Sequence, residues 1–267
     1  MSTSTNAPDH PVEYERRGAA LVLTIRRPEA GNSINLATAE GLSAGLERAR
    51  AEGELRAVII TGAGGKFFCT GGDVKAYRAL ESTEALEGTF ARVRRLLDEI
   101  EAFPLPMLAA IDGYALGGGL EMALACDQRF AGKSARLGLP QTKLGLIPGW
   151  NGLERLVETV GRSHAMRMLY LADPVSSEEA LRVGLIDEVT DDGGAVAAAV
   201  AFAERLTATA PLAIEAAKAV CMATLRHGRD AATEKARETF SRLWFTADHR
   251  EAEAAFAEKR KPQFRGR

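Results

Sequence analysis

Two glycine-rich turns contain residue types at a spacing that could form a catalytic or ligand-binding site. One contains Gly71-Gly72-Asp73 and the other contains Gly117-Gly118-Gly119, and an apolar run precedes each of them. Glycine lets a backbone approach a ligand closely, and a turn from a strand into a helix leaves N–H groups free. Two such turns on neighbouring strands can direct two N–H groups at one oxygen, as in an oxyanion hole. The same glycines would equally suit tight turns that bind nothing.

Other nucleotide-binding, hydrolytic and metal-binding signatures are missing from the sequence. Lys66 follows Gly65, but Phe67 comes next, so the spacing of a phosphate-binding P-loop is absent. The second glycine turn does not fit the GxGxxG dinucleotide pattern, and no GxSxG nucleophile turn occurs. The four histidines show no ligand spacing, and the three cysteines form no CxxC pair. We therefore predict no metal site.

The segments around the glycine turns alternate between strand and helix patterns. Compact apolar, β-branched runs predict buried strands, and apolar residues at intervals of three and four predict helices. The predicted order is β–α–β–α–β–α–β, which indicates an α/β core with largely parallel strands. The predicted strands are Ala19–Ile25, Arg56–Thr61, Met107–Asp112 and Gln128–Ala131, and the predicted helices are Leu36–Ala51, Leu86–Ala102 and Leu120–Cys126.

The last third of the chain lacks strand patterns and is predicted to be helical. A chain of 267 residues is long enough for one large domain or two small ones. We predict a disordered tail over residues 1–12, an α/β core over 13–194 and a helical region over 195–267. The helices predicted in the last region are Ala195–Thr209, Leu212–Arg226, Arg229–Trp244 and His249–Lys259.

Composition argues against several classes of partner. Lys and Arg number 34 against 36 Asp and Glu, so the chain has no basic excess for a nucleic acid backbone. The N-terminus is polar, and the apolar stretch Gly193–Ala203 is shorter than a bilayer span, so we expect no signal peptide and no membrane segment. Three widely spaced cysteines are typical of a reducing compartment, and we expect a cytoplasmic location.

Four segments, taken in order, resemble the enoyl-CoA hydratase/isomerase (crotonase) superfamily. The resemblance extends from Leu21 to Phe264 and is specific because the whole ordered set matches. It implies the crotonase fold, an α/β spiral of repeated ββα turns followed by a C-terminal helical trimerisation region. The four segments are FFCTGGDVK, AAIDGYALGGGLEMALACD, LGLPQTKLGLIPGWNG and AFAEKRKPQF.

The resemblance also implies what the two glycine turns bind. In this family two backbone N–H groups hold the thioester carbonyl of an acyl-CoA as it becomes an enolate, and here they would belong to Gly72 and Gly118. The segment Asp73-Val74-Lys75 matches the stretch that lies along the CoA moiety. Lys75 would offer its charge to a CoA phosphate, or else it is a solvated loop lysine.

The acid–base residues depart from the family pattern. Family hydratases carry two glutamates; Glu121 occupies the first position, whereas Gln141 stands at the second. An amide exchanges hydrogen bonds but cannot shuttle protons, so Glu121 would be the only carboxylate of the pair, with Gln141 orienting a water. Alternatively, Glu121 only complements a helix dipole and Gln141 is structural. Trp150 is equally suited to the acyl pocket and to the core.

A hydration reaction fits this single carboxylate better than a double-bond shift, because the family's single-acid isomerases normally keep the second position. The resemblance thus implies an enoyl-CoA hydratase-like enzyme that adds water reversibly to an α,β-unsaturated acyl-CoA. CoA arrives as part of the substrate, and no metal or redox cofactor is implied. The alternatives are another enolate reaction (isomerisation, decarboxylation or thioester hydrolysis) and a low-activity acyl-CoA-binding protein.

The C-terminal helices carry large apolar side chains that need burial. The resemblance implies a homotrimer or hexamer, in which Phe256 would stack on the CoA adenine of a neighbouring subunit and Lys259 would meet a phosphate. The alternative is a monomer whose C-terminal helices fold back on their own core. The apolar side chains concerned are Phe240, Leu243, Trp244, Phe245 and Phe256.

Overall fold

Ten strands are found in the computed structural model, which describes residues 11–78 and 80–267. All four predicted strands are present, and each predicted end lies within one residue of the observed end. The strands, in chain order, are Val12–Arg17 (β1), Ala20–Ile25 (β2), Ala57–Gly62 (β3), Phe67–Cys69 (β4), Met107–Ile111 (β5), Tyr114–Leu116 (β6), Gln128–Gly132 (β7), Arg136–Gly138 (β8), Val175–Ser176 (β9) and Glu188–Thr190 (β10).

Helices cover much of the remaining chain. They are Leu36–Ala51 (α1), Val74–Tyr77 (α2), Thr83–Glu101 (α3), Gly118–Leu124 (α4), Gly152–Leu171 (α5), Ser177–Arg182 (α6), Ala195–Arg205 (α7), Pro211–Trp244 (α8) and Ala247–Ala257 (α9). The predicted bounds of α1 are confirmed, and Asn35 caps this helix by accepting a hydrogen bond from Thr38 N at 2.9 Å. The two helices predicted on either side of Gly228 are confirmed as the two parts of α8, which are separated by a kink at that glycine, where φ is 79° and ψ is 179°.

Six strands form the larger sheet, in the order β1–β2–β3–β5–β7–β10. The last five pair in parallel, as the alternation of strands and helices predicts, whereas β1 pairs antiparallel to β2. β1 corrects the predicted tail, because Val12 is fully buried and pairs with Ile25; residues 1–10 of that tail lie outside the described residues. This strand escaped prediction because charged residues fill most of its second half.

The second sheet is built from short strands in the order β4–β6–β8–β9. β3, β5 and β7 of the larger sheet are each followed by one of these strands and then by a helix, so the repeating ββα unit implied by the resemblance is confirmed. β4 and β6 are parallel neighbours, and each leads directly into one of the two glycine turns. Since parallel strands end at the same edge, this pairing brings the two turns together.

The larger sheet is buried on both faces, which explains why its strands are continuous apolar runs. In β3, Ile60 packs in the cluster that contains the buried residues of α1, α3 and α4, whereas Ile59 packs against α7. α7 therefore lies on the core sheet, although the predicted boundary at residue 195 assigns it to the helical region. Its buried face consists of small side chains at four-residue spacing, Ala195, Ala199 and Ala203.

Two ion pairs connect helix α8 to the core of its own chain. Lys218 Nζ donates to Asp127 Oδ2 at 2.7 Å, and Arg226 Nη2 donates to Glu101 Oε2 at 2.5 Å.

No single helix in the described part is long and apolar enough to cross a membrane. Only the pair Ala195–Ala208 and Pro211–Trp244, bent by 111°, meets these criteria together, by length and composition alone.

We expect Lys218→Met to lower the free energy of unfolding by about 2–3 kcal/mol, because it leaves the partly buried Asp127 carboxylate without its cation. Lys235→Met is the matched control, since Lys235 and its partner Glu238 are largely exposed, and it should change stability by less than about 0.5 kcal/mol. Urea unfolding at one protein concentration measures both values. Equal effects of the two substitutions would show that the Lys218 pair does not anchor α8.

Candidate active site

The two glycine turns lie against each other beyond the ends of β4 and β6. Gly71 has a φ of 103°, in a region that side-chain-bearing residues rarely adopt. A Cβ atom at this position would also come within 2.8 Å of the Gly118 amide nitrogen. Glycine at position 71 is therefore required both by conformation and by space.

Gly72 and Gly118 each carry an amide N–H that no described residue accepts. Ile34 N donates to Gly71 O at 2.8 Å, and Asp73 N donates to Ile34 O at 3.0 Å, so Gly72 directs its own N–H to the opposite side. Gly118 is the first residue of α4, where a helix offers no internal acceptor to its N–H groups. Two free donors thus belong to turns that are in contact.

A row of three aromatic rings packs against the two turns. A Cβ atom on Gly72 would come within 2.2 Å of the Tyr77 ring, and one on Gly118 within 2.1 Å of the Trp150 ring. Phe90 lies between them, with ring centroids 5.2 Å from Tyr77 and 6.2 Å from Trp150. Trp150 is buried, as the core role considered for it requires, and its ring contacts the second glycine turn, as a place beside the acyl pocket requires.

Glu121 lies one turn of α4 beyond Gly118, and its side chain is buried. Its Oε2 accepts hydrogen bonds from Trp150 N at 2.7 Å and from Gly152 N at 3.0 Å. Its Oε1 accepts one from Gln141 Nε2 at 3.1 Å. The carboxylate is therefore fixed at one oxygen by backbone donors and at the other by an amide side chain.

Gln141 contacts Glu121 directly, whereas the sequence predicts only that it orients a water nearby. Because an ionised carboxylate only accepts hydrogen bonds, the amide presents its nitrogen to Glu121 and turns its oxygen away. That Oε1 atom is buried and accepts no hydrogen bond from a described residue. A donor such as a water O–H would satisfy it beside the carboxylate.

Burial raises the pKa of the Glu121 carboxyl above its usual value of 4.5. Hydrogen bonds from the amides of Trp150, Gly152 and Gly149 act in the opposite direction, as does the charge of Arg155. A raised pKa brings a carboxyl closer to neutral pH, where it can both accept a proton and return it. Burial of this kind is not needed by a glutamate that only complements a helix dipole.

The predicted CoA-binding segment Asp73–Lys75 begins directly after Gly72. The Asp73 carboxylate is paired with an arginine of the same chain. Arg27 Nη2 donates to Asp73 Oδ2 at 2.8 Å, and this hydrogen bond lowers the pKa of the Asp73 carboxyl. Arg27 therefore secures the first glycine turn, a role that sequence reasoning missed because the two residues are 46 positions apart. The other two residues of the segment, including Lys75, are exposed.

Phe256 and Lys259 lie at the C-terminal end of α9. Phe256 is 88% exposed, and Lys259 follows the helix with a φ of 54°. Within residues 11–78 and 80–267, neither side chain has a hydrogen bond or ring contact with the glycine turns. Their predicted contact with CoA in a neighbouring subunit stays a prediction.

Comparison with known proteins points to one family. A family model described as enoyl-CoA hydratase/isomerase matches residues 15–267. The (E)-benzylidenesuccinyl-CoA hydratase of Thauera aromatica is 36% identical, over 96% of this chain and 99% of that protein. The short-chain-enoyl-CoA hydratase of Clostridium acetobutylicum is 33% identical, over 94% of this chain and 95% of that protein. A crystal structure of an enoyl-CoA hydratase from Bacillus anthracis matches with a TM-score of 0.91 at 32% identity, covering 96% of this chain and 100% of that one.

We expect Glu121 to destabilise the fold increasingly as the pH rises. The folded protein holds this proton more tightly than the unfolded chain does, so the free energy of unfolding falls as the pH rises from about 4.5 through the raised pKa. Glu121→Gln removes this titration. The variant should therefore gain stability relative to the wild type between about pH 4 and pH 7, as measured by urea unfolding.

Glu251→Gln is the matched control, because hydrogen bonds from Arg260 lower the pKa of Glu251 to about 2. Glu251 contributes stability that is fully present above about pH 4.5 and is lost as the pH falls toward about 2, so across this lower window its removal should have the opposite pH dependence. The conclusion that burial of the ionised Glu121 carboxylate destabilises the fold would be contradicted by either of two results. One is a stability difference for Glu121→Gln that does not vary with pH, and the other is a pH dependence of the same sign for both variants.

Proposed function

Because this chain belongs to the enoyl-CoA hydratase/isomerase family, we propose that it adds water reversibly across the double bond of an α,β-unsaturated acyl-CoA. The chain is a hydratase-like enzyme, a hydro-lyase. The observation that carries the proposal is the buried Glu121 carboxylate, which lies beside turns whose Gly72 and Gly118 amides have no acceptor among the described residues.

In this proposal the amides of Gly72 and Gly118 form an oxyanion hole for the thioester oxygen. As the water oxygen bonds to Cβ, the π electrons of the double bond move toward the thioester, and negative charge collects on its oxygen. Two fixed N–H donors stabilise that charge more than they stabilise the neutral carbonyl, which lowers the barrier. The segment Asp73-Val74-Lys75 follows Gly72 directly, and the exposed Lys75 ammonium would meet a CoA phosphate.

Glu121 carries the proton in both halves of the reaction. Its Oε1 takes a proton from water while the water oxygen bonds to Cβ, and the protonated carboxyl then gives that proton to Cα as the enolate collapses. The net change is the addition of H and OH across the double bond. Oε1 suits this role because Oε2 is already occupied by two backbone donors.

Gln141 supports both protonation states of Glu121 in this scheme. Its Nε2 donates to the ionised carboxylate at 3.1 Å. If Glu121 is protonated, rotation of the Gln141 amide about its last side-chain bond turns the Oε1 atom of Gln141 toward the new O–H donor of Glu121. Gln141 itself never carries a proton, so the scheme needs one titrating group only.

No metal or redox cofactor takes part in this scheme, and CoA enters as part of the substrate. That expectation and the cytoplasmic location stay predictions. Assays on a panel of acyl-CoA thioesters distinguish hydration from the other enolate reactions, because isomerisation, decarboxylation and thioester hydrolysis each yield a different product. Tight CoA binding without turnover of any member would instead favour a binding protein.

We expect Glu121→Gln to lower kcat for crotonyl-CoA hydration by about 10²–10⁴-fold, the usual effect of removing a general acid–base group, with little change in thioester affinity. Loss of the conjugated thioester absorbance measures turnover. Gln141→Glu should increase hydration of this short substrate if the missing second carboxylate limits the wild-type rate. Unchanged kcat in Glu121→Gln would remove this residue from the mechanism.

We also propose that the chain forms a homotrimer or hexamer through its C-terminal helices. α8 is tied to its own core, yet these helices still expose large apolar side chains, including Phe240 at 63% and Phe245 at 73%. An apolar patch of this kind is typical of a protein–protein contact. In such an assembly, Phe256 and Lys259 would reach the CoA of a neighbouring subunit.

We expect sedimentation velocity at micromolar concentration to show a species of three or six times 28.6 kDa. The double variant Phe256→Ala/Lys259→Ala should keep that mass but raise KM for the acyl-CoA several-fold at unchanged kcat, because both side chains are exposed and neither takes part in the hydrogen bonds that hold Glu121. Lys235→Ala controls for the loss of an exposed lysine. A fully active 28.6 kDa monomer would contradict both parts of this proposal.

A further inference from the structure

The segment 150–152, which fixes Glu121 Oε2, is itself fixed by a buried arginine at the start of α5. Arg155 Nη1 donates to the carbonyl oxygen of Trp150 at 3.0 Å and to that of Asn151 at 3.4 Å. The amides of Trp150 and Gly152 donate to Glu121 from the same segment. The segment thus accepts two hydrogen bonds from Arg155 and donates two hydrogen bonds to the Glu121 carboxylate.

The rigidity of the peptide bond connects these two sets of hydrogen bonds. The carbonyl of Asn151 and the N–H of Gly152 belong to one planar unit, so a donor that fixes the carbonyl also fixes the direction of the N–H. Asn151 has a φ of 62° and a ψ of 24°, a left-handed conformation that is uncommon for a residue with a side chain. Arg155 supplies hydrogen bonds on both peptide units that flank this residue.

The guanidinium of Arg155 is held at its far end by two carboxylates of α3. Nη2 donates to Asp98 Oδ1 at 2.8 Å and to Glu101 Oε2 at 2.9 Å. Glu101 also accepts a hydrogen bond from Arg226 of α8. The charge of Arg155 also lowers the pKa of Glu121, but only the hydrogen bonds from Arg155 to the segment reach the residues that contact Glu121.

We propose that Arg155 is a positioning residue for Glu121: by fixing the peptide units of residues 150–152, it holds Glu121 Oε2 and so directs Oε1 toward Gln141 and the reacting atoms. Arg155 touches neither of these carboxylate oxygens itself. Without it, the peptide unit of Asn151 and Gly152 can rotate, Oε2 loses the Gly152 donor, and the carboxylate adopts other orientations, although Arg94 Nη1 still holds the Gly149 carbonyl of the unit that carries the Trp150 N–H. Substrate affinity depends on other groups, so the effect falls on kcat.

The test compares three variants of the full-length protein. Arg155→Met removes every donor but keeps an unbranched side chain, whereas Arg155→Lys keeps the charge near Asp98 and Glu101 without the planar fork that reaches the two carbonyls. Arg129→Met is the matched control, because Arg129 is equally buried and also donates to backbone carbonyls, but it lies in β7 with Asp187 as its ion partner.

Two readouts distinguish positioning from general stability. The first is the kcat and KM of crotonyl-CoA hydration as functions of pH, a readout that rests on the proposed function. The second is the ¹³C titration of the Glu121 carboxyl, assigned by its loss in Glu121→Gln, which requires no activity. The charged groups that face this site include Arg155 from α5, Arg226 from α8, and the α3 residues Glu87, Arg94, Asp98 and Glu101, of which Arg94 donates to the carbonyl of Gly149.

We expect Arg155→Met to lower kcat by about 10-fold or more while KM stays within about 3-fold. The lost Gly152 donor and the lost positive charge both raise the pKa of Glu121, so the acidic limb of the rate profile and the ¹³C titration move to higher pH. Arg155→Lys should show the same changes in smaller measure, and Arg129→Met should lower stability without moving either titration.

The proposal is overturned if a folded Arg155→Met protein has the wild-type kcat and Glu121 titration, or if Arg129→Met moves that titration equally. If Arg155→Met fails to fold, Arg155→Lys decides the question by the same criteria. If the wild-type protein hydrates no enoyl-CoA, the proposed function fails, and the ¹³C titrations still decide the role of Arg155.

Discussion

The close approach of two backbone turns is the constraint on which the rest of this structure depends. The turns can meet only where side chains are absent: a Cβ on Gly71 would come within 2.8 Å of Gly118 N, and one on Gly119 within 2.0 Å of Cys69 O. The parallel pair β4–β6 brings the turns together, and the aromatic row of Tyr77, Phe90 and Trp150 packs against them. The small second sheet thus has a direct part in forming the site.

The second requirement is a carboxylate that stays buried without losing its hydrogen bonds. Glu121 meets it with two amide donors from the segment 150–152 and one from Gln141. These bonds offset only part of the desolvation, because the pKa of the carboxyl remains raised. Glu121 therefore reduces stability at neutral pH, a common feature of groups that are kept for proton transfer.

Local patterns in the sequence predict those elements whose signals lie within a few residues. The bounds of α1, the parallel direction of β2, β3, β5 and β7, and the two glycine turns are of this kind. Helix α5 is not predicted, because Gly161, with a φ of 73°, interrupts its pattern. The three-residue strands β4, β6 and β8 are defined by pairing with one another and have no signal of their own.

The residues that support the candidate site depend on tertiary structure, and no local pattern reveals them. Arg27 reaches Asp73 across 46 positions, and Arg155 reaches the carboxylates of α3 across 54 and 57 positions. The pairing of Glu121 with Gln141 was expected from motif positions, but its direct hydrogen bond depends on where the Pro140–Leu144 turn lies against α4.

The proposed oxyanion hole requires that the Gly72 and Gly118 amides polarise a thioester carbonyl beside Glu121. Isotope-edited infrared spectroscopy of bound butyryl-CoA with a ¹³C-labelled carbonyl tests it directly, because this saturated thioester has no double bond to hydrate. We expect the carbonyl stretch to shift to lower frequency on binding, because two fixed N–H donors weaken the C=O bond. A bound carbonyl that keeps its solution frequency in the wild-type protein would show that the two amides do not form an oxyanion hole.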